Sequence, residues 1–161
     1  PMSPLLRLWG RLPIPQRLRW AIVSLFVPKF AVGVVGVILN EQNEILLFRH
    51  TYRGSRYPWG LPSGWLDPRE HPARGIVREV CEETGLEVRV VRPLLVENAL
   101  LVPRVDLIFL CEWVGEEFRP SLEVDAMQFF GLGALPPMMP AQYDMIAKIY
   151  DMLVQENHAQ L

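Results

Sequence analysis

Glutamates are concentrated around one predicted helix, and three of them share one of its faces. Glu79, Glu82 and Glu83 occupy positions i, i+3 and i+4. At about 100° per residue they lie within roughly a third of the helix circumference. Like charges at this spacing repel and weaken an isolated helix. The cluster therefore indicates either an acidic face screened by water or a cleft in which a cation neutralises it, and Mg²⁺ is the cation that prefers such oxygen ligands.

The helix that must position these glutamates has clear ends and an apolar side. Pro72 suits the first turn, and Gly85 is typical of the residue just past a helix end. Gly75 is expected on the carboxylate side, where a missing side chain leaves room for an approaching group. The opposite stripe should face a core and consists of Ala73, Val77, Val80, Cys81 and Thr84.

The spacing of the residues around this helix follows a known pattern. From Gly64 the sequence reads Gly-x5-Glu-x7-Arg-Glu-apolar-x-Glu-Glu-x-Gly-apolar and ends at Leu86. In this order and spacing the segment resembles the defining box of the Nudix hydrolase superfamily, without a mismatch at the constrained positions. The box covers 23 residues, and the order of the surrounding predicted elements extends the resemblance to roughly residues 30–155.

The resemblance implies a role for each box residue. Glu79, Glu82 and Glu83 match the glutamates that bind the metal, which is Mg²⁺ with Mn²⁺ as a substitute. The carbonyl of Gly64, or that of Ser63, is a further candidate ligand. Many relatives have glycine at position 63, so Ser63 is a mild departure from the family pattern. The remaining two charged box positions, Arg78 and Glu70, match a residue that orients neighbouring glutamates and an acid that supports the site.

The general base stays open at this stage. In the superfamily it is either a box glutamate or an acid from a later loop. Glu123 is the candidate that we single out, because it comes just before the predicted strand 126–130. Other acids outside the box are Glu116, Glu117 and Asp125, and for each of the four the alternative is a solvated surface acid.

Arginine and aromatic residues beside the box are candidates for substrate binding. Arginine can bind phosphate through two donors, and an aromatic ring can stack on a base or sugar. For each aromatic residue the alternative is packing in the core. Arg104 is expected to be exposed in a hairpin turn, with contact to a phosphate as the alternative, and His50 is expected to be structural. The candidate substrate-binding residues are Arg49, Arg53, Arg56, Tyr57, Trp59 and Trp65.

Composition limits the classes of partner. The chain has 161 residues, a formal net charge of −2 and two cysteines. A chain without a basic excess is not expected to bind duplex nucleic acid. Cys81 and Cys111 are expected to be buried thiols rather than a disulfide, which favours a reducing, cytoplasmic location.

The chain is expected to contain a Nudix domain at 30–155, an extension at 1–29 with a helix at 16–27, and a tail at 156–161. Packing on the domain or forming a homodimer is favoured for the extension, and a membrane surface is disfavoured because its helix lacks a strongly polar face. Pro28 and Lys29 argue against a membrane span over 20–39. The predicted strands are 31–39, 44–50, 87–91, 94–101, 105–114 and 126–130, and a short strand and a turn are predicted within 59–66. The predicted helices within the domain are 72–84 and 141–155.

These elements predict an α/β domain. The resemblance implies a more specific fold, an α/β/α sandwich with a mixed β-sheet between helices. The function that it implies is a Mg²⁺-dependent pyrophosphohydrolase that cleaves a diphosphate bond in a nucleoside diphosphate linked to another group, for example ADP-ribose or a nucleotide sugar. The alternative is a catalytically silent nucleotide sensor with the same fold, and prenyl diphosphate isomerisation is a third reading that no residue favours.

Overall fold

A computed structural model describes residues 15–99 and 102–159. The chain divides into two units, Pro1–Phe30 and Ala31–Leu161. The described part of the first unit contains helix α1, Gln16–Phe26, which follows Pro15 as predicted. Over the described ranges, no helix has the length and apolar character needed to span a bilayer.

The second unit contains two β-sheets. In chain order its strands are β1 (Ala31–Ile38), β2 (Ile45–His50), β3 (Trp59–Gly60), β4 (Ser63–Trp65), β5 (Glu87–Ala99), β6 (Arg104–Gly115) and β7 (Val124–Phe130). The four-stranded sheet has the order β4-β1-β6-β5 and the three-stranded sheet the order β3-β2-β7. Because β1 pairs in parallel with β6 and antiparallel with β4, the larger sheet is mixed, as expected.

Two helices cover opposite sides of these strands. Helix α2 spans Pro72–Thr84 and helix α3 spans Pro140–Ala159. Alternate residues of β1 and β2 face each helix, as strand geometry requires. The core on the α2 side includes Val34, Ile38, Leu46, Phe48, Ile76 and Val80. The core on the α3 side includes Val35, Val37, Ile45, Leu47, Ile146 and Ile149. The α/β/α arrangement implied by the sequence is therefore present.

Helix α2 has the predicted limits, but its faces differ from the expectation. Gly85 ends the helix in the left-handed conformation, with φ of 73°. Ile76 is fully buried, whereas Cys81 is exposed, so the expectation of a buried Cys81 is wrong. The carboxylate face is also partly enclosed, because Glu83 is only 8% exposed. The buried arc of the helix is thus rotated toward Ile76 and Glu83.

Strand β5 is longer than the sequence suggested. The sequence predicts two strands here, 87–91 and 94–101, with Pro93, which lacks a backbone N–H group, between them. The structure has one strand, Glu87–Ala99, in which the register shifts on either side of Pro93. Because β5 is the edge strand of its sheet, the missing donor is tolerated.

Replacing Ile76 by alanine tests the packing of α2. Ile76 is fully buried in the core on the α2 side. The variant should lower the free energy of unfolding by roughly 2–5 kcal/mol, the cost of a cavity left by a large buried side chain. Leu122→Ala is the control, because Leu122 is 95% exposed. Equal effects of the two substitutions in urea unfolding would contradict this packing.

Candidate active site

A cleft of about 810 Å³ opens beside β4. It is lined by residues of the four-stranded sheet, of the turn that follows β2, of the loop that precedes β7, of α2 and of the first turns of α3. Box and loop residues that are far apart in the sequence therefore meet at one place. The residues of the sequence-predicted site that line the cleft are Gly64, Glu79, Glu83, Glu123, Arg53 and Trp65.

Arg78 lies at the centre of a hydrogen-bond network next to this cleft. Its Nε and Nη2 atoms donate to Glu70 at 2.9 and 3.0 Å, and Nη1 donates to Glu79 at 2.9 Å and to Glu82 at 3.1 Å. Nη2 also donates to the carbonyl of Trp65 at 3.0 Å. The pKa of Arg78 is raised, chiefly by the hydrogen bond with Glu70. One guanidinium group thus orients three carboxylates and the backbone of β4.

Glu79 is held against β4 from two directions. Its Oε1 atom accepts hydrogen bonds from Arg78 and, at 3.1 Å, from the backbone N–H of Trp65. A Cβ atom at Gly64 would lie 2.0 Å from the carboxyl carbon of Glu79. Since real Cβ atoms do not approach that closely, glycine at position 64 is needed for Glu79 to occupy this place.

Glu83 is the carboxylate of this cleft that is best suited to bind a cation. It is 8% exposed, and its buried Oε2 atom has no hydrogen-bond partner within the described part of the chain. The pKa of Glu83 is raised to about 7, chiefly by burial and then by the negative charges of Glu79 and Glu123, while Arg53 opposes the shift. A buried, unpaired carboxylate of this kind requires either a proton or a cation.

These residues fit a hard divalent cation, although they do not form a finished metal site. Over residues 15–99 and 102–159, no three His, Cys, Asp or Glu side chains are arranged so that they could hold a metal ion. The partnerless Oε2 atom of Glu83 nevertheless offers a free oxygen donor in a cleft shared with Glu79 and Glu123. Carboxylate oxygens are the donors that Mg²⁺ prefers.

The other two acidic box residues lie outside the cleft lining. The Glu82 side chain is 63% exposed and pairs with Arg78. Glu70 accepts hydrogen bonds from Arg78 and from the backbone N–H of Asp67 at 3.2 Å. Its pKa is lowered, mainly by the hydrogen bond with Arg78. Glu70 therefore acts on the cleft through Arg78.

Arg53 is the predicted substrate-binding arginine that the fold places in the cleft. Its Nη1 atom is buried and, among the described residues, has no hydrogen-bond partner. A Cβ atom at Gly60 would lie 2.0 Å from this nitrogen, so glycine provides the space that the guanidinium occupies. Arg53 consequently has a donor to offer to an anionic ligand.

The remaining four predicted substrate-binding residues have other surroundings. Arg49 forms an ion pair with Asp125 at 2.7 Å, and Trp59 packs edge to face on Phe130 with ring centroids 5.0 Å apart. The Arg56 guanidinium lies 5.1 Å from the centroid of the Tyr57 ring. The packing alternative considered from the sequence thus describes Trp59 well. Residues outside the described cleft lining are Arg49, Arg56, Tyr57 and Trp59.

Sequence reasoning missed Asp106 and misplaced Arg104. Both line the cleft and both belong to β6, so the expectation that Arg104 lies in a hairpin turn is wrong. Asp106 is 6% exposed although it stands in an otherwise apolar run of the strand. An isolated acid inside an apolar strand, two residues after an arginine, was the available signal, since residues i and i+2 share one face.

Comparison with known proteins places the chain in a family. The NUDIX domain model matches residues 29–149. The chain therefore belongs to the NUDIX family.

Curated relatives match a large part of this domain. A MutT-like protein of Streptomyces ambofaciens is 35% identical over 102 residues, which are 63% of this chain and 64% of that protein. An ADP-ribose pyrophosphatase of Methanocaldococcus jannaschii is 30% identical over 112 residues, 67% of this chain and 66% of that protein. The chain thus spans a little under two thirds of the length of each of these relatives.

Solved structures agree on the fold. The structure of a UDP-X diphosphatase superposes with a TM-score of 0.72 at 20% sequence identity. The superposition covers 89% of this chain and 73% of the UDP-X diphosphatase chain. The structure of an ADP-ribose pyrophosphatase of Streptococcus suis superposes with a TM-score of 0.61 at 30% sequence identity, and the superposition covers 72% of this chain and 88% of that one. At 20% identity the first likeness concerns the fold alone.

The structure predicts a pH dependence of stability at His50, beside the cleft. His50 is 2% exposed, and burial, followed by the positive charge of Arg53, lowers its pKa to about 3. Below its ordinary pKa of about 6.5 the unfolded chain takes up a proton that the folded chain does not. Stability from neutral His50 is therefore fully present above about pH 6.5 and is lost as the pH falls toward 3.

His50→Leu should remove this contribution. Between pH 7.5 and 5.0, the free energy of unfolding of the unmodified protein should fall by about 2 kcal/mol more than that of the variant. Urea unfolding at both pH values measures the difference. The same decrease in both proteins would show that His50 does not titrate in this way.

Proposed function

We propose that this protein is a cytoplasmic, Mg²⁺-dependent pyrophosphohydrolase that cleaves the diphosphate bond of a nucleoside diphosphate linked to another group. The observation that carries the proposal is the buried Oε2 atom of Glu83, which has no partner among the described residues and shares its cleft with Glu79 and Glu123. Membership in the NUDIX family and relatives named as ADP-ribose pyrophosphatases support the reaction class.

Glu79, Glu83 and Glu82 are the proposed metal ligands, and the Gly64 carbonyl is a fourth. Glu79 and Glu83 already line the cleft. Glu82 remains in the set because its exposed carboxylate shares the Arg78 guanidinium with Glu79. Bound Mg²⁺, or Mn²⁺ in its place, would neutralise phosphate oxygens and lower the pKa of a coordinated water.

The protein's own residues would position the substrate and move the proton. Arg53 would donate its partnerless Nη1–H to a phosphate oxygen, as arginine commonly does. Glu123 is our candidate for the base that accepts a proton from the attacking water, because it faces the same cleft as Glu83. Arg78 and Glu70 would hold the ligand set in place without touching the substrate.

Glutamine at the ligand positions tests the proposal. Glu83→Gln and Glu82→Gln keep the size of the side chain and remove its charge, so formation of the nucleoside monophosphate product should fall roughly a hundredfold or more. Glu112→Gln is the control, since Glu112 is a half-exposed acid of β6 paired with Arg89. The assay uses ADP-ribose and nucleotide sugars with Mg²⁺, and with Mn²⁺ in a parallel series.

Chelation of the metal should stop the reaction, and added Mg²⁺ should restore it. Full activity of both glutamine variants, or activity that persists in excess chelator, would refute the metal assignment. Binding of nucleotides without turnover by the unmodified protein would favour the sensor function instead.

Gly64→Ala tests the space that Glu79 requires. The added Cβ atom would lie 2.0 Å from the Glu79 carboxyl carbon, so this carboxylate must move away from β4. Hydrolysis should fall by roughly tenfold or more, as when a supporting contact of a metal ligand is lost. Gly133→Ala is the matched control, because a Cβ atom there meets nothing within 4 Å. Unchanged activity of Gly64→Ala, relative to this control, would contradict the proposed position of Glu79.

A further inference from the structure

A second polar group lies in the cleft, on β6. Arg104 and Asp106 are two residues apart in the strand, and Arg104 Nη2 lies 2.8 Å from Asp106 Oδ2. The Asp106 side chain is 8% exposed, whereas that of Arg104 is 39% exposed. The buried carboxylate therefore anchors a guanidinium group that reaches the cleft surface.

Gly33 provides the space for this anchor. It pairs with Asp106 across β1 and β6 and with Trp65 across β1 and β4. A Cβ atom at position 33 would lie 2.1 Å from Asp106 Oδ1. Any larger residue would displace the carboxylate, and Arg104 would lose the partner that orients it.

Trp65 connects this pair to the acidic side of the cleft. Its backbone N–H donates to Glu79, and its carbonyl accepts from Arg78. Trp65 is 56% exposed, and its ring centroid lies 5.8 Å from the Arg104 guanidinium carbon. A single residue is thus held by the glutamate network through its backbone and faces Arg104 with its side chain.

The Arg104 donor and the Trp65 ring indicate the kind of ligand that would bind at this place. The Arg104 Nε atom is buried and finds no hydrogen-bond acceptor in the part of the chain that the structure describes. Trp65 offers an exposed flat apolar face, on which aromatic rings stack. Because Asp106 offsets the charge of Arg104, this place suits an uncharged ring with acceptor atoms better than another phosphate. A nucleobase has both properties, and arginine commonly donates to base acceptors.

We propose that Arg104 and Trp65 bind the nucleobase of the substrate, and that Asp106, in the space left by Gly33, is the residue that positions Arg104. The inference rests on the proposed function in placing the diphosphate beside Glu79 and Glu83. The base would then lie across β4 from these acids. Asp106 does not touch the substrate in this arrangement.

Binding of product-like nucleotides tests the inference without requiring turnover. Isothermal titration calorimetry would measure the affinity for UMP, GMP and AMP, with ribose 5-phosphate as the probe that lacks a base. The variants are Arg104→Lys, Asp106→Asn and Trp65→Ala. A fourth variant, Gly33→Ala, changes the position of Asp106 without changing its chemistry.

Two variants are controls. Arg89→Lys alters an exposed ion pair between β5 and β6 that lies outside the described cleft lining, and Gly133→Ala adds a Cβ atom that meets nothing within 4 Å.

Each variant of the proposed subsite should weaken binding of at least one nucleotide roughly tenfold or more, the range for losing a hydrogen bond to a charged group. Binding of ribose 5-phosphate should change by less than about twofold, because that probe does not reach the subsite. The controls should bind all four probes like the unmodified protein. If a change at buried Asp106 prevents folding, Trp65→Ala still tests the inference, because Trp65 is 56% exposed and its truncation should leave the fold intact.

Two results would overturn the inference. Unchanged nucleotide affinity in folded Arg104→Lys and Trp65→Ala would show that the pair is only structural. An equal loss of affinity for ribose 5-phosphate would show that Arg104 binds phosphate rather than a base.

If the protein hydrolyses nucleotide substrates, the same variants should raise KM and leave kcat within about twofold. Nucleotide binding that follows these expectations without any turnover would retain the inference and reject the proposed hydrolysis.

Discussion

The hydrogen bonds of Arg78 are the constraint on which the site depends. Glu70, Glu79 and Glu82 all accept from this guanidinium, and so does the carbonyl of Trp65. Repulsion among acids on one helix face would otherwise weaken α2. The arginine offsets that repulsion and fixes the helix relative to β4 at the same time. Glu83 remains outside the network, which leaves its buried oxygen for a cation.

Strand β4 joins the two halves of the cleft. Gly64 accommodates Glu79 on one side, and Trp65 faces Arg104 on the other. Because neighbouring residues of a strand point to opposite faces, two adjacent positions can serve different parts of one substrate. The hydrogen bonds of β4 with β1 keep these positions in register with Gly33. The proposed reaction and the proposed base recognition therefore share one short strand.

Much of the fold followed from local pattern, while contacts across the chain did not. The limits of α2 were predictable because Pro72 and Gly85 mark helix ends locally. The burial of Glu83 was not predictable, since it depends on how α2 packs against distant strands.

Asp106 was missed because its burial also depends on contacts between distant parts of the chain. Its partner Arg104 is close in sequence, but the space it needs is provided by Gly33, far along the chain. Of the predicted arginines, Arg53 reaches the cleft, whereas Arg49 is paired with Asp125 of β7.

The most direct test of this account is a crystal structure of the protein soaked in Mn²⁺, with the metal located by anomalous scattering. We expect a peak in the cleft with Glu83 Oε2 and a Glu79 oxygen within about 2.5 Å of it, a distance typical of oxygen ligands to hard cations. A cleft without such a peak, in crystals that bind Mn²⁺ elsewhere, would contradict the central claim that these carboxylates hold a divalent metal.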